Sequence, residues 1–414
     1  MLTNIPDFAS LHNGIQVITC TDPSVLYTTI GVYSSLGAVS DPIGLPGTFH
    51  ATEHMIFRGS KSYPNKIAVA RELEKYNGRI NGATSALHTE FHITIPTRRF
   101  ALAAEILASI FFEPTLAQEH WEIERGAIFE EIKQNQDDIN RYFPRRLKAL
   151  LFAGTEMANL GTGTLESVEK ISIVDIRSAH QRLINTNHLT VIVTGGSPEN
   201  LELILESSFG KYAMSSTRET VREAPTPNMN KPNWRELRQG NQQSRLGLCW
   251  MYRNNSITEN EGVALKVFTT MMDAGMSTPL FQNLREKTGL TYQQSFNFGL
   301  YCKGLYTLGF SSRFNPSNSQ AVRDAFWESV DETLWNTELL DFAQTRLVEK
   351  LELEKPTSQL FYEQTLALLE GVPWQTNQRQ IELSLEVTPE MIFRTIDSLV
   401  KNHGHATFEL FGQH

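Results

Sequence analysis

The order of strand-like and helix-like patterns runs twice along this chain of 414 residues, once on each side of segment 216–234. In the first half, β-type stretches at about 14–20 and 26–33 precede helical patterns at 48–58 and 67–76. A strand pair then covers 79–96, with Asn77-Gly78 and Asn81-Gly82 as turn signals, and long helical patterns follow at 100–112 and 116–136. In the second half a strand at 246–252 precedes helical patterns at 261–273 and 279–287, strands fill 292–312, and helices run on to 401. Each half closes on a short apolar strand after an amphipathic helix, at 188–196 and at 405–412. Segment 216–234, with three prolines and no period, reads as a linker. Two copies of one α+β unit account for this order, and the length needs two cores, because a single core stops growing near ~250–300 residues. The expected division is a domain at 1–215, the linker 216–234 and a second domain at 235–414.

The string His50-Ala-Thr-Glu53-His54 puts two imidazoles at i and i+4, one helical turn apart on one face, where both reach a single metal ion. Composition predicts on the order of 0.02 chance occurrences of such a string, an inverted relative of the common zinc-protease helix. A catalytic zinc also needs a third protein ligand and an open position for water, so a carboxylate must arrive from elsewhere. On the helical pattern around 121–132, an advance of ~100° per residue places Glu124 and Glu131 within about 20° of each other, beside Ala127 and Ile128. Carboxylates on such an apolar stripe are costly to bury unless a cation or a metal-bound histidine faces them. Taken alone, these two acids fit a solvated acidic face better than a metal site.

Four blocks stand in order along the chain: His50-Ala-Thr-Glu53-His54-Met-Ile-Phe-Arg-Gly59; Asn81-Gly-Ala-Thr-Ser85; Glu124 followed by Phe129-Glu-Glu131-Ile; and Leu284-Arg285-Glu-Lys-Thr-Gly289-Leu-Thr-Tyr292. Together they carry a resemblance to the M16 family of zinc metallopeptidases, which includes pitrilysin, insulinase and the mitochondrial processing peptidase. It implies an α+β fold of two homologous domains, each a mostly antiparallel β-sheet packed with helices, the LuxS/MPP-like metallohydrolase fold. It implies His50, His54 and Glu131 as zinc ligands, Glu53 as general base, and Glu124 as a carboxylate steadying a ligand histidine. Peptide hydrolysis by a Glu-activated zinc-bound water follows, with Arg285 and Tyr292 as donors near the substrate carbonyls. Asn81, Gly82 and Ala83 correspond to an edge strand that pairs with an extended peptide, which favours unfolded or short substrates. In the two-repeat members two chains enclose a chamber, so a homodimer or a heterodimer with a related M16 subunit is implied, with Arg285 and Tyr292 acting in trans. The pattern is departed from at Ala51 and Thr52, where bulkier apolar residues are common, at Gly82, usually Ala, and in the glycine-poor stretch 272–279.

One zinc per chain is expected, because the second half has no such string and its histidines are His403, His405 and His414. Cys20, Cys249 and Cys302 are odd in number and far apart, which excludes a disulfide framework and fits a reducing compartment. The first ten residues lack a basic leader region and no stretch reaches the ~18 apolar residues of a membrane span, so a cytoplasmic location without membrane contact is expected. A formal charge of −9 argues against a broad nucleic-acid surface. No Walker-type loop or G-x-S-x-G elbow is present. The basic cluster at 141–146 is assigned to a helix start and a chamber wall. A non-catalytic peptide-binding or scaffold subunit is the alternative, and retention of His50, Glu53, His54 and Glu131 favours the enzyme.

Overall fold

A computed structural model describes residues 4–184, 189–213, 222–229, 233–240, 242–253, 257–331, 335–402 and 405–411. His188, His403, Gly412, His414 and the linker positions 216–221 and 230–232 lie outside the described residues. The chain packs as two compact units, one built from 4–225 with 356–374 and the other from 226–355 with 375–414.

The first unit holds a six-stranded sheet of β1 (Asp7–Ser10), β2 (Gln16–Thr21), β3 (Tyr27–Ser34), β4 (Arg79–Thr84), β5 (Thr89–Pro96) and β6 (Leu189–Gly195), in the order β1-β2-β6-β3-β5-β4. The second holds β7 (Asn233–Leu237), β8 (Ser244–Arg253), β9 (Thr291–Cys302), β10 (Leu305–Phe314) and β11 (Ala406–Phe411), in the order β7-β11-β8-β10-β9. Among the described residues each sheet has one parallel pairing, β2 with β6 and β7 with β11, and is otherwise antiparallel. Counting from β2 and from β7, both sheets follow the order first, fifth, second, fourth, third. Two unrelated mixed domains would not share that crossover pattern, so the recurrence in the sequence is a recurrence of topology.

Helices of the first unit are α1 (Thr48–Ile56), α2 (Lys66–Glu74), α3 (Phe100–Phe112), α4 (Gln118–Asp137), α5 (Ile139–Leu151), α6 (Leu165–Lys170), α7 (Ile173–Leu183) and α8 (Leu201–Leu205). In the second half α9 (Glu259–Asp273), α10 (Pro279–Phe281), α11 (Ser319–Ser329) and α12 (Thr337–Leu353) are followed by α13 (Ser358–Leu369), α14 (Asn377–Glu386) and α15 (Pro389–Asn402). None of the described helices is long and apolar enough to cross a membrane.

Alternation along the strands sets the layers. Ile30 and Val32 of β3, with Phe91, Ile93 and Ile95 of β5 and Val191 and Val193 of β6, pack on Ala103, Ala104, Leu107 and Phe111 of α3. The opposite face of β3 is also buried, because Tyr33 and Ile192 pack on Tyr362 of α13. A Cβ at Gly31 would stand 2.4 Å from the Tyr362 hydroxyl, so glycine is what lets this helix seat on the strand. The sequence division at 216–234 does not anticipate this return of 356–374, since the pattern of α13 is that of any half-buried helix and carries no record of which sheet it covers. In the second unit, Leu246, Leu248 and Trp250 of β8, Phe310 of β10 and Phe326 of α11 form the equivalent core.

Candidate metal centre

Helix α1 is buried on nearly every side and is fixed at its start by Asp41, whose carboxylate accepts from the Gly47 N–H at 2.7 Å and the Phe49 N–H at 2.8 Å. Gly47 itself has φ 96°, and a Cβ there would meet the Gly163 backbone at 2.9 Å. Ala51 and Met55 of α1 pack against Trp121, Ile128 and Ile132 of α4. The small, fully buried Ala51 suits this close approach of two helices, while the buried Thr52 hydroxyl donates to the Thr48 carbonyl within α1.

That packing brings the acids of α4 to the histidines of α1. The buried positions of α4 are Trp121, Glu124, Ile128, Ile132 and Asn135, so Glu124 sits on the helix's inward stripe, with Glu131 half-buried beside it. His50 Nε2 lies 3.4 Å and His54 Nε2 3.6 Å from Glu131 Oε2. Among the described residues these three side chains form the one group of His, Cys, Asp or Glu able to hold a metal, their donor atoms all within 4.8 Å of one another. Zinc–ligand bonds of ~2.0–2.1 Å in a tetrahedron put neighbouring ligand atoms roughly 3.4 Å apart. The two N···O separations match that edge and are too long for good hydrogen bonds, so the donor set and spacing fit a zinc ion.

The surrounding groups orient the donors. His54 Nδ1–H donates to Glu124 Oε2 at 2.8 Å, which turns Nε2 toward Glu131, and Arg58 Nε ion-pairs with Glu124 Oε1 at 2.7 Å. Asn135 donates to Glu131 Oε1 at 3.5 Å. Burial pushes the His50 imidazole down to about 4, and the charge of His54 adds to this. Burial also opposes charge on His54, but Glu124, Glu131 and Glu53 outweigh it and lift that imidazole to about 9. Its partner Glu131 is held down at about 2, chiefly by His54.

Because metal binds neutral imidazole, His50 is ready at neutral pH whereas His54 must release a proton. Zinc titration at pH 7 is therefore expected to release at least one proton per ion, the one from His54, with affinity rising at least tenfold per pH unit between roughly pH 5 and 9. Calorimetry in buffers of different ionisation enthalpy measures the count, and zero released protons would remove this assignment of charges.

Glu53 faces the same cavity, and the Thr84 hydroxyl donates to its Oε2 at 2.6 Å. Burial raises its pKa, partly opposed by that hydrogen bond. The cavity, about 420 Å³, is also lined by residues 82–86 and by Arg145 and Lys148 of α5. Strand β4 ends the sheet and pairs with β5 alone. Asn81 and Ala83 are exposed on it, while a Cβ at Gly82 would stand 2.9 Å from the Phe57 ring and 3.0 Å from the Glu90 carbonyl. Arg285 and Tyr292 belong to the second unit, in a π-helical turn (Gln282–Glu286) and on the edge strand β9. The Arg285 guanidinium stacks 4.6 Å over the Tyr292 ring, which is 79% exposed.

Sequence reasoning missed the Thr84 contact to Glu53, the Arg58 brace and Lys148. Arg58 had a readable signal, four residues beyond His54 on the same helical face. Thr84 and Lys148 had none, since their roles depend on how β4 and α5 flank α1.

Known proteins bear on this geometry. Residues 16–164 match the family model described as insulinase (peptidase family M16), and residues 170–347 match the one described as the M16 inactive domain. An uncharacterized zinc protease of Streptomyces coelicolor is 25% identical over 78% of this chain and 70% of its own length. One of Mycobacterium tuberculosis is 25% identical over 69% of this chain and 65% of its length, so the chain spans about two thirds of these relatives. A protease from Helicobacter pylori has the same fold, with a TM-score of 0.87 at 15% identity over 99% of this chain and 100% of that one. With both family models matched in order along it, the chain belongs to the M16 peptidase family.

Proposed function

We propose that the chain is a zinc metalloendopeptidase that hydrolyses unfolded or short peptides. The observation that carries this reading is the gathering of the His50, His54 and Glu131 donor atoms within 4.8 Å of one another, with both imidazole–carboxylate separations near a zinc tetrahedron's edge, in the cavity that Glu53 also lines. Zinc, when bound, supplies a Lewis acid and lowers the pKa of a coordinated water toward ~7. With Oε2 engaged by Thr84, Glu53 takes the water's proton at Oε1 and delivers it to the departing amine nitrogen. Its raised pKa suits a group that must first accept and then donate near neutrality. Glu124 and Arg58 hold the His54 ring in one tautomer and one plane. The substrate adds to the free edge of β4 beside Asn81 and Ala83, so its backbone is read before its side chains.

One zinc per chain suffices, with residues 1–215, completed by 356–374, as the catalytic domain and the rest of 235–414 as the domain without metal. Two chains, identical or related, enclose the chamber, and Arg285 and Tyr292 of one copy donate to substrate carbonyls at the metal centre of the other. The exposure of Tyr292 supports this. That Cys20, Cys249 and Cys302 form no disulfide supports a cytoplasmic setting.

Metal analysis of the purified chain, with mass-spectrometric mapping of cuts in a mixed peptide pool, tests the proposal. About one zinc per chain is expected, with cuts abolished by chelator and restored by zinc. A zinc-free chain whose cuts ignore chelator would overturn it.

A further inference from the structure

The part of the cavity lining that α5 supplies carries charge that the proposed chemistry does not use. Arg145 and Lys148 stand three apart on α5, on neighbouring positions of one helix face, and both line the cavity that holds His50, Glu53, His54 and Glu131. Three other basic residues of the first unit are tied down: Arg141 donates to Gln134 and Asn135, Arg58 pairs with Glu124, and Arg222 pairs with Glu156. Among the described residues Arg145 makes no hydrogen bond or ion pair. Its nearest electrostatic partner is Glu131, whose Oε2 already faces two histidines. Lys148 donates to the Asn159 carbonyl at 3.2 Å and lines the same cavity. Glu53 and Glu131 against Arg145 and Lys148 leave these lining charges balanced, so a bound divalent ion makes the cavity cationic inside a chain whose formal charge is −9.

A half-buried guanidinium on the wall of a peptide-sized cavity is a fork-shaped donor suited to carboxylate, and the edge of β4 already serves the peptide backbone. We propose that Arg145, assisted by Lys148, selects peptides that present a carboxylate within about three residues of the scissile bond. The carboxylate is either an Asp or Glu side chain or the free C-terminus of a short peptide. This inference rests on the peptidase reading above and adds a substrate class to it. Arg145 is a specificity residue here: it touches the substrate's side chain or terminus and takes no part in the proton transfers of Glu53.

The test uses peptide pairs differing only in Glu or Gln at each of three positions on either side of a mapped cut, each made with a free and an amidated C-terminus. Two readouts are taken: kcat/KM with the zinc-loaded chain, and equilibrium binding to zinc-loaded Glu53→Gln by fluorescence anisotropy. At one position Glu is expected to be preferred about tenfold in both, equivalent to about 1.4 kcal/mol. Preference for the free terminus over the amide instead identifies that terminus as the source. Arg145→Gln should remove most of the discrimination while changing Gln-peptide cleavage less than about twofold, Arg145→Lys should keep part of it, and Lys148→Gln should cost about two- to threefold. Cleavage of all pairs without discrimination overturns the inference and leaves the peptidase reading standing. So does an Arg145→Gln chain that loses Glu and Gln peptides equally or loses zinc, which would make the residue a support for Glu131. Absence of cleavage and binding for every peptide removes both.

Discussion

Replacing Glu53 by Gln is expected to lower kcat for peptide cleavage by about 10²–10⁴, the range that a positioned general base or acid contributes. The substitution keeps the side chain's size and leaves an amide oxygen for the Thr84 hydroxyl, so the packing of α1 should survive. What is lost is the capacity to hold a proton between the attacking water and the leaving amine. Zinc content should stay at the wild-type level, because Glu53 is not one of the three donors that converge on one point. KM should change little, as Glu53 makes no uniform contribution to holding the peptide. A variant within about tenfold of wild-type kcat would exclude Glu53 as the proton carrier, and loss of zinc would mean that the effect is structural.

The second large effect concerns α13. Tyr362 is fully buried, and its hydroxyl donates to Glu90 Oε2 at 2.8 Å. Glu370, just beyond the helix, accepts from the Tyr33 hydroxyl at 2.9 Å and lies 2.8 Å from His88 Nδ1. Both carboxylates are buried, so each depends on partners supplied from the other end of the sequence. Truncating a buried aromatic to alanine costs about 3–5 kcal/mol, and leaving Glu90 without its buried donor adds about 1–3. Tyr362→Ala is thus expected to cost about 4 kcal/mol or more, a large part of the ~5–15 kcal/mol that holds a typical domain. Tyr362→Phe, which keeps the ring and removes the hydroxyl, should cost about 1–3 kcal/mol. Urea unfolding followed by a probe in the first unit reads both, and a Tyr362→Ala change under about 1 kcal/mol would show that α13 is peripheral. For the same reason a fragment ending at residue 225 should be collapsed or aggregated, and one with 356–374 joined to it should fold.

The sequence carried the candidate metal set unusually clearly, because two periodicities met there. The i, i+4 spacing of His50 and His54 fixes them on one face of α1, and the seven-residue interval from Glu124 to Glu131 returns nearly to the same face of α4. The structure brings these two helices together through Ala51, Met55, Trp121 and Ile128, whose apolar character was readable although their pairing was not. The doubled strand order was readable for the buried strands and failed at β1 and β7. Residues of β1 are exposed throughout and those of β7 are never buried, so neither strand has the one-sided apolar pattern that announces a sheet. Gly82 read as a departure from a family pattern, and its cause is the Phe57 ring, which only the packed structure reveals.

The position of α13 also sets a schedule for the nascent chain. Strand β6 is complete at Gly195, yet the helix that covers the outer face of β3 ends about 170 residues later. At ~5–20 residues per second the ribosome needs roughly 10–35 s to deliver it. Throughout that interval Tyr33 and Ile192 lie open to water on a sheet whose other face has already found its helices. Chaperone occupancy during synthesis should therefore peak on this face and fall away once residue 369 has left the exit tunnel.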